Sequence, residues 1–347
     1  MNRSWACPRA WEDGVLVCKQ VQAVTADVKT FVFEPAEPRV FRHDPGQHLT
    51  VTLDIDGSEI DRCYTISSPP SRPLVASITV KRVPGGVASN WLHDYLAPGQ
   101  ALRARGPLGT FSPVQHPAAR YLFLSGGSGI TPMMSMTRTL HDLAQPTDVV
   151  FVHSARAPGD IIFRQELDLI AATSRDIRVA HVCEHDGPGE RWHGHRGRLS
   201  ADMLRQIAPD FLDREVFICG PPAYMGAVRQ MLIGAGLPEE RYHQESFDIP
   251  VPRSSTVDCS EKYSVEFART GSTVECGSDT SVLDAASAAG ITLPSSCGQG
   301  MCGTCKTTLL RGAVDMRHNG GIRAREVADD KILLCCAKPR GDLVLDC

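Results

Sequence analysis

The chain contains 347 residues, of which 22% are charged and 42% hydrophobic, and its formal net charge is −4. This length predicts two or three domains rather than one core. The negative charge argues against a nucleic-acid-binding protein, which usually carries a basic surface. No apolar run approaches the roughly 20 residues that cross a bilayer, and the amino terminus has no apolar segment typical of a secretory signal.

The first part of the chain is rich in short strand-like segments. After an extension of residues 1–14, residues 15–113 contain VLVCKQV, KTFVFEP, HLTVTLDI, RCYTIS and ASITVKR, separated by Gly, Pro and Asp. Regularly spaced short strands with turn residues between them predict a small antiparallel β-barrel. One helix is expected in this region, near residues 89–96.

The character of the chain changes in residues 114–247. The apolar segments YLFLSGG, VVFVHSA, IRVAHVC and EVFICGP alternate with helical stretches such as MMSMTRTLHDLA and AYMGAVRQMLIGAG. Buried-type strands that alternate with helices predict an α/β domain with a parallel sheet.

A Pro- and Ser-rich linker is predicted at residues 248–262, followed by a third domain at residues 263–347. YSVEFARTG and STVECG predict a hairpin. SVLDAASAAG predicts a helix that begins after Ser281 or Thr280 and ends at Gly290.

Four cysteines of the third domain have the spacing of iron–sulfur ligands. Cys297, Cys302 and Cys305 form a C-x4-C-x2-C segment, and Cys335 and Cys336 follow downstream, which is the plant-type [2Fe-2S] pattern. A zinc ribbon is the alternative, but it prefers two C-x2-C units, and only one is present. The spacing leaves open which of the adjacent cysteines is the fourth ligand. The total of 13 cysteines is odd, which argues against a disulfide scaffold and favours a cytosolic protein.

Two glycine-rich turns have the composition of phosphate-binding sites. Gly85 and Gly86 precede the predicted helix of the barrel domain, and the amino terminus of a helix favours an anion such as the pyrophosphate of FAD. FMN, with a single phosphate, is the alternative. Gly126, Gly127 and Gly129 lie between a strand and a helix of the second domain, where they permit close approach of a dinucleotide.

These motifs resemble those of the ferredoxin–NADP⁺ reductase superfamily. The segment from Arg62 to Thr65 resembles its R-x-Y-[ST] flavin motif, GGSGITP its nucleotide turn, and CGPPAYM its C-G-P-x-x-M signature. The LCCAKP segment resembles the ferredoxin C-x-A-x-P ending, which implies that Cys335 is the fourth cluster ligand and that the last domain has a β-grasp fold. The implied metal ligands are Cys297, Cys302, Cys305 and Cys335.

The resemblance also implies roles for residues of the first two domains. Arg62 faces the flavin phosphate, Thr65 lies near flavin N5, and an aromatic residue at the end of the second domain covers the flavin. The residues expected to act in hydride transfer are Thr65, Cys219, Glu245 and Phe247. Those expected to bind FAD or the nicotinamide coenzyme are Arg62, Tyr64, Thr65, Ile66, Lys81, Gly86, Val87, Ser89, Gly127, Gly129, Thr131, Ser154, Arg156, Cys219, Gly220, Pro221, Met225 and Phe247.

The domain order flavin, nicotinamide, ferredoxin resembles that of phthalate dioxygenase reductase and its relatives. The motifs are closer still to reductase subunits of glycine-betaine-type Rieske demethylases and to hybrid-cluster-protein reductases. The resemblance implies a cytoplasmic enzyme with FAD, a [2Fe-2S] cluster and a nicotinamide coenzyme, which reduces a separate oxygenase. A hybrid-cluster-protein reductase and a flavin and iron–sulfur redox sensor or carrier are the alternatives. Carboxylates near the second and third strands would repel the adenosine 2′-phosphate of NADPH and so favour NADH; they belong to Asp160, Glu184 and Asp186. Arg191 is the counter-argument, because its positive charge would attract that phosphate.

Overall fold

The computed structural model describes residues 10–247, 261–295 and 297–347, and most of the predicted linker lies outside them. The described chain forms two compact units. The first comprises residues 10–48, 64–107 and 111–247. The second comprises residues 49–63 and 108–110 together with the described residues from 261 onward.

The barrel region contains the strands and the helix that the sequence predicts. In the first unit, antiparallel strands follow the order β8-β2-β3-β7, and their alternating apolar side chains, among them Phe31, Phe33 and Ile78, are fully buried. The elements are β1 (Ala10–Trp11), β2 (Asp13–Thr25), β3 (Val28–Pro35), β4 (Val40–Phe41), β5 (His48–Ile55), β6 (Ser58–Thr65), β7 (Ala76–Lys81), α1 (Val87–Tyr95) and β8 (Ala101–Leu108).

The structure differs from the sequence-based expectation at two places in this region. Part of the expected amino-terminal extension is folded, because β1 pairs with β4 and Trp11 packs against Phe41 with ring centroids 5.3 Å apart. The helix α1 begins at Val87, two residues before the expected start. Its first turn therefore lies directly after Gly86, which strengthens the case for an anion site there.

Residues 120–245 form an α/β domain within the first unit. All its strand pairs are parallel, in the order β12-β11-β10-β9-β13-β14. The elements are β9 (Arg120–Gly126), α2 (Ile130–Asp142), β10 (Asp148–Ala155), α3 (Arg164–Thr173), β11 (Ile177–Cys183), β12 (His195–Arg196), α4 (Ala201–Ile207), β13 (Glu215–Cys219), α5 (Pro222–Gly234) and β14 (Tyr242–Glu245).

Two strands of this sheet were not predicted, because β12 is two residues long and β14 is a polar four-residue segment. The unpredicted β14 pairs with β13, so that Glu245 lies beside Cys219. The order of the strands reverses between β9 and β13, and ligands of open α/β sheets bind at the carboxyl ends of the strands at such a switch point. The predicted nucleotide turn and Cys219 both lie there.

A buried arginine joins three segments of the α/β domain. The guanidinium of Arg214 is fully buried and donates to the carboxylates of Asp148 and Asp210 and to the backbone carbonyl of Tyr121. Burial opposes its charge, and the two carboxylates outweigh that effect and raise the pKa of Arg214.

We expect Arg214→Leu to lower the free energy of unfolding by on the order of 3 kcal/mol, because it removes the buried guanidinium that two carboxylates share and leaves each with only an exposed arginine as partner. Chemical denaturation of the purified protein measures this loss. Arg205→Leu is the matched control, since Arg205 forms an exposed pair with Asp202 that contributes little. Equal stability losses in the two variants would contradict the prediction.

The second unit contains residues 49–63 of the β5–β6 hairpin and the carboxyl-terminal domain. The domain has a mixed sheet in the order β16-β15-β21-β17-β19, a small β18–β20 pair, and a helix α6 capped by Ser281, whose hydroxyl accepts from the Asp284 amide at 3.1 Å. Val282 and Ala286 pack against Val265 and Leu333 in its core. The elements are β15 (Lys262–Phe267), β16 (Ser272–Gly277), α6 (Val282–Ala288), β17 (Lys306–Arg311), β18 (Val314–Met316), α7 (Ala324–Ala328), β19 (Lys331–Leu333), β20 (Ala337–Pro339) and β21 (Leu343–Leu345).

Candidate redox sites

The predicted cluster ligands converge in the second unit. The thiols of Cys297 and Cys302 interact with each other, as do those of Cys305 and Cys335. Backbone amides point at these sulfurs: those of Met301 and Cys302 lie 3.4 and 3.3 Å from Cys297 Sγ. Paired thiols surrounded by amide donors fit a two-iron cluster, whose sulfur ligands are stabilised by such hydrogen bonds.

Glycine is required where the cysteine loop folds against its neighbours. Gly303 has φ +70°, and a Cβ there would lie 2.7 Å from the carbonyl oxygen of Gly321. Gly300 has φ +68°, and a Cβ would lie 3.0 Å from Cys336 Sγ. A larger residue at either position would push the loop away from the sulfurs.

The geometry favours Cys335 over Cys336 as the fourth ligand. The sulfur of Cys335 accepts from the Gly300 amide at 3.2 Å, and its own amide points at Cys305 Sγ at 3.5 Å. The thiol of Cys336 donates to the carbonyl of Leu333 and also interacts with the thiol of Cys335. The assignment of Cys335 therefore stays our prediction, now with a geometric reason.

The hydroxyl of Thr65 meets a buried carboxyl group at the end of the α/β domain. Thr65 Oγ1 donates to Glu245 Oε2 at 3.4 Å, and both residues are buried in the first unit. Burial raises the pKa of Glu245 to about 8, and the hydrogen bond from Thr65 acts in the opposite direction. A carboxyl group of this kind is able to hold and exchange a proton near neutral pH.

The other predicted flavin residues lie on β6, β7 and α1. Arg62, in the second unit, donates to the carbonyl of Asp61 at 2.7 Å. In the first unit, Ile66 is fully buried. Gly86 is the residue that precedes α1 and has no side chain to cap the helix. The hydroxyl oxygen of Ser89 accepts from the Val83 amide at 3.2 Å. The free amides of the first turn, from Val87 onward, fit a phosphate.

The nucleotide turn is packed closely against the end of β13. A Cβ on Gly129 would lie 2.3 Å from the carbonyl oxygen of Cys219, so only glycine fits. Gly127 has φ +53°, and Thr131 Oγ1 donates to the Ser128 carbonyl at 3.2 Å. Met225 and Cys219 are buried, and Pro221 and Gly220 lead into α5. The close packing and lack of side chains at Gly127 and Gly129 fit the approach of a dinucleotide.

Tyr224 was not among the predicted site residues, and its ring lies against Gly220 and Gly126. A Cβ on Gly220 or Gly126 would lie 2.8 or 3.1 Å from its ring. Burial raises the pKa of Tyr224, and the neighbouring hydroxyl of Ser154 acts in the opposite direction. Its position two residues after the proline pair was a signal in the C-G-P-x-x-M segment, but the spacing alone does not show where the ring points.

Asp27 was also missed, and it connects two predicted cofactor-binding residues. Its carboxylate lies 3.3 Å from Lys81 Nζ and 3.9 Å from an Arg156 nitrogen. Arg156 additionally lies 3.4 Å from Asp160. Phe247, the last described residue before the gap, is 43% exposed, which leaves its ring available to a ligand.

Apart from the cluster cysteines, three side chains of the described residues, those of His116, Glu215 and His243, bring possible metal-ligand atoms close together. The two imidazole rings are stacked, with centroids 3.7 Å apart and planes 24° from parallel, and His243 is hydrogen-bonded to Glu215. The lone pairs of nearly parallel rings point side by side rather than at a common ion. We therefore interpret the group as a hydrogen-bonded stack.

Comparison with known proteins agrees with this arrangement of sites. Family models of an oxidoreductase FAD-binding domain, an oxidoreductase NAD-binding domain and a 2Fe-2S iron–sulfur cluster binding domain match residues 16–112, 123–230 and 265–340. The chain is 45% identical to the glycine betaine monooxygenase reductase subunit of Pseudomonas aeruginosa, over 97% of both chains. It is 44% identical to the stachydrine N-demethylase reductase subunit of Rhizobium meliloti, over 95% of both.

The chain belongs to the ferredoxin–NADP⁺ reductase superfamily, in the group with a carboxyl-terminal [2Fe-2S] domain. The solved structure of phthalate dioxygenase reductase is also similar, with a TM-score of 0.58 and 26% identity over 96% of this chain and 98% of that one. The predicted fold class is thereby confirmed: a flavin-binding barrel, an α/β nucleotide domain and a ferredoxin domain.

The reductase is an oxidoreductase with FAD, NAD and [2Fe-2S] domains, as the sequence predicts. Within the described part of the chain, no helix is long and apolar enough to cross a membrane. The domain boundaries and the individual site residues stay predictions, and the geometry above is what supports them.

Proposed function

We propose that this reductase passes electrons from NADH, through FAD and the [2Fe-2S] cluster, to a separate Rieske-type oxygenase that removes a methyl group from a quaternary ammonium compound. The observation that carries the proposal is the full-length similarity to reductase subunits of two such monooxygenases. The compounds that give these two enzymes their names, glycine betaine and stachydrine, both carry a methylated quaternary nitrogen. The three sites of the chain supply the parts that such an electron path requires.

The residues of the first unit bind and orient the reactants. Gly127 and Gly129 let the coenzyme approach the switch point of the sheet, and the amino terminus of α1 binds the flavin phosphates. When bound, FAD supplies the conversion of a two-electron hydride into single electrons. Glu245 Oε2 accepts from the Thr65 hydroxyl at 3.4 Å, and its carboxyl group, whose pKa burial raises to about 8, would hold a proton for exchange near neutral pH when FAD is bound.

The residues of the second unit would hold the one-electron carrier. Cys297, Cys302, Cys305 and Cys335 would hold the cluster, and the loop amides stabilise the negative charge on their sulfurs. A [2Fe-2S] cluster accepts one electron at a time, so the ferredoxin domain delivers electrons singly to the partner protein.

Reconstitution with a purified glycine-betaine-type Rieske oxygenase tests the proposal. We expect NADH oxidation to become coupled to formation of formaldehyde from the methylated amine, in a one-to-one ratio. The matched control replaces the oxygenase by a hybrid-cluster protein. Fast reduction of the hybrid-cluster protein together with no turnover of the oxygenase would contradict the proposed partner.

Coenzyme preference is a further prediction, and we expect kcat/KM to be about tenfold higher with NADH than with NADPH. The guanidinium of Arg156 is paired with Asp27 and Asp160, so its positive charge is already balanced where an adenosine 2′-phosphate would need a free cation. Asp160→Ala should release Arg156 and raise kcat/KM for NADPH. The control is Asp202→Ala, which removes an exposed carboxylate paired with Arg205. A wild-type preference for NADPH would contradict this interpretation.

A further inference from the structure

One face of the β5–β6 hairpin contacts the loop that contains Cys302, and both segments belong to the second unit. Side chains alternate along a strand, so Thr50 and Thr52 share a face of β5, and Asp61 and Cys63 share a face of β6. They form two cross-strand pairs: Thr50 Oγ1 lies 3.7 Å from Cys63 Sγ, and Thr52 Oγ1 donates to Asp61 at 2.6 Å. We call these four residues the hairpin ladder.

The first pair of the hairpin ladder contacts Cys302 itself. The hydroxyl of Thr50, which is fully buried, donates to the Cys302 carbonyl at 2.9 Å. The thiol of Cys63 interacts with the Cys302 side chain. Cys63 thus points to the opposite face of β6 from its flavin-motif neighbours Arg62 and Tyr64, toward a predicted iron ligand.

The second pair, Thr52 and Asp61, fixes the position of a donor to the sulfur of Cys302. Asp61 accepts from the hydroxyl of Thr304 at 3.1 Å, and the backbone amide of Thr304 points at Cys302 Sγ at 3.4 Å. Between Cys302 and Thr304, Gly303 turns the chain in the left-handed conformation. The hairpin ladder therefore fixes both the backbone of Cys302 and the amide that donates to its sulfur.

We propose that the hairpin ladder sets the reduction potential of the [2Fe-2S] cluster, by holding Cys302 and the hydrogen-bond donors around its sulfur in place. The proposal rests on the proposed function, because it takes Cys302 as an iron ligand. Hydrogen bonds to a ligand sulfur stabilise the more negative, reduced cluster and raise its potential. The strand that carries the flavin motif then also determines how readily the cluster accepts an electron from reduced flavin.

The test is a redox titration of the holo-reductase, followed by the electron paramagnetic resonance signal of the reduced cluster. Cys63→Ala and Thr50→Val each remove one contact with Cys302. We expect each to shift the equilibrium of one electron between flavin and cluster about threefold toward the flavin, as expected for loss of a weak hydrogen bond. Cys63→Ser, which retains a donor, should keep the wild-type equilibrium.

Two matched controls separate this effect from general loosening of the fold. Cys276→Ala removes another buried thiol of the second unit, which donates to backbone carbonyls. Thr307→Val removes a hydroxyl that donates to the Asp346 carbonyl. Both should leave the potential and the resonance spectrum unchanged. The proposal is overturned if Cys63→Ala and Thr50→Val retain the cluster with the wild-type potential, or if the controls shift it equally.

A separate measurement distinguishes failure of the proposed function. Iron and sulfide content of Cys302→Ala reports on ligation alone. An intact cluster in Cys302→Ala would remove the basis of both the ligand assignment and the ladder. Loss of the cluster in Cys302→Ala, with unchanged potentials in Cys63→Ala and Thr50→Val, would overturn only the proposal that the hairpin ladder sets the potential.

Discussion

Replacing Cys305 by serine is expected to abolish the [2Fe-2S] absorption and resonance signals, while FAD remains bound. The sulfur of Cys305 is buried, interacts with that of Cys335, and accepts from the Cys335 amide at 3.5 Å. Cys305 of the cysteine loop thus forms a pair of thiols with the downstream Cys335. Replacing Cys305 removes one of the four thiolates that a plant-type [2Fe-2S] cluster requires.

The catalytic consequence should differ between electron acceptors. NADH-dependent reduction of ferricyanide should persist in Cys305→Ser, because hydride transfer requires only the FAD and NAD domains. Reduction of cytochrome c and of the oxygenase should fall to the background rate. Retention of oxygenase reduction in a cluster-free protein would mean that electrons leave directly from the flavin.

The adjacent cysteines provide a matched pair for the same experiment. Cys335→Ser should lose the cluster, since Cys335 Sγ lies among the loop donors. Cys336→Ser should retain it, since the Cys336 thiol donates to the Leu333 carbonyl. The opposite result would show that the fourth ligand has been assigned to the wrong residue.

Glu245→Gln is expected to slow reduction of the flavin by NADH about 100-fold, the size typical of a lost acid–base group. The amide keeps the shape of the side chain and a hydrogen bond with Thr65, but it neither gives nor takes a proton. Stopped-flow absorbance measures the rate. Glu240→Gln is the control, because Glu240 is exposed on the same segment. Equal rates in the wild type and in Glu245→Gln would exclude a role for this proton.

The same carboxyl group should make stability depend on pH. Burial raises the pKa of Glu245 from its ordinary value of 4.5 to about 8, so the folded state binds a proton that the unfolded state has released between these values. The contribution is complete below pH 4.5 and is lost as the pH rises through about 8. Denaturation midpoints of Glu245→Gln should decline less over this range than those of the wild type. Parallel declines would contradict the shifted pKa.

Much of the fold was predictable because local signals agree with one another. Strand β5 occupies the residues 48–55 that its alternating pattern predicts, and Ser281 caps α6 as its position before the helix suggests. The parallel order of the α/β sheet follows from strands that alternate with helices. Motifs with fixed spacing, such as the cysteine loop, similarly place their residues together without knowledge of the rest of the chain.

The contacts that could not be predicted join residues far apart in sequence. The hairpin ladder meets a loop about 250 residues away, with Thr50 and Cys302 separated by 252 positions, and neither Thr50 nor Asp61 has a distinctive sequence context. Arg214 is buried although arginine is usually exposed, and only the positions of Asp148 and Asp210 explain it. Such pairs depend on the tertiary packing, which the pattern of one segment does not encode.

The contact between Thr65 and Glu245 spans 180 residues, and this separation has a consequence for biosynthesis. Domains fold as they leave the ribosome, beginning at the amino terminus. The barrel strands are therefore complete long before β14 is synthesised, and until then Thr65 lacks the carboxyl group of Glu245. The hydrogen bond between Thr65 and Glu245 thus forms only after the last strand of the nucleotide sheet has been added.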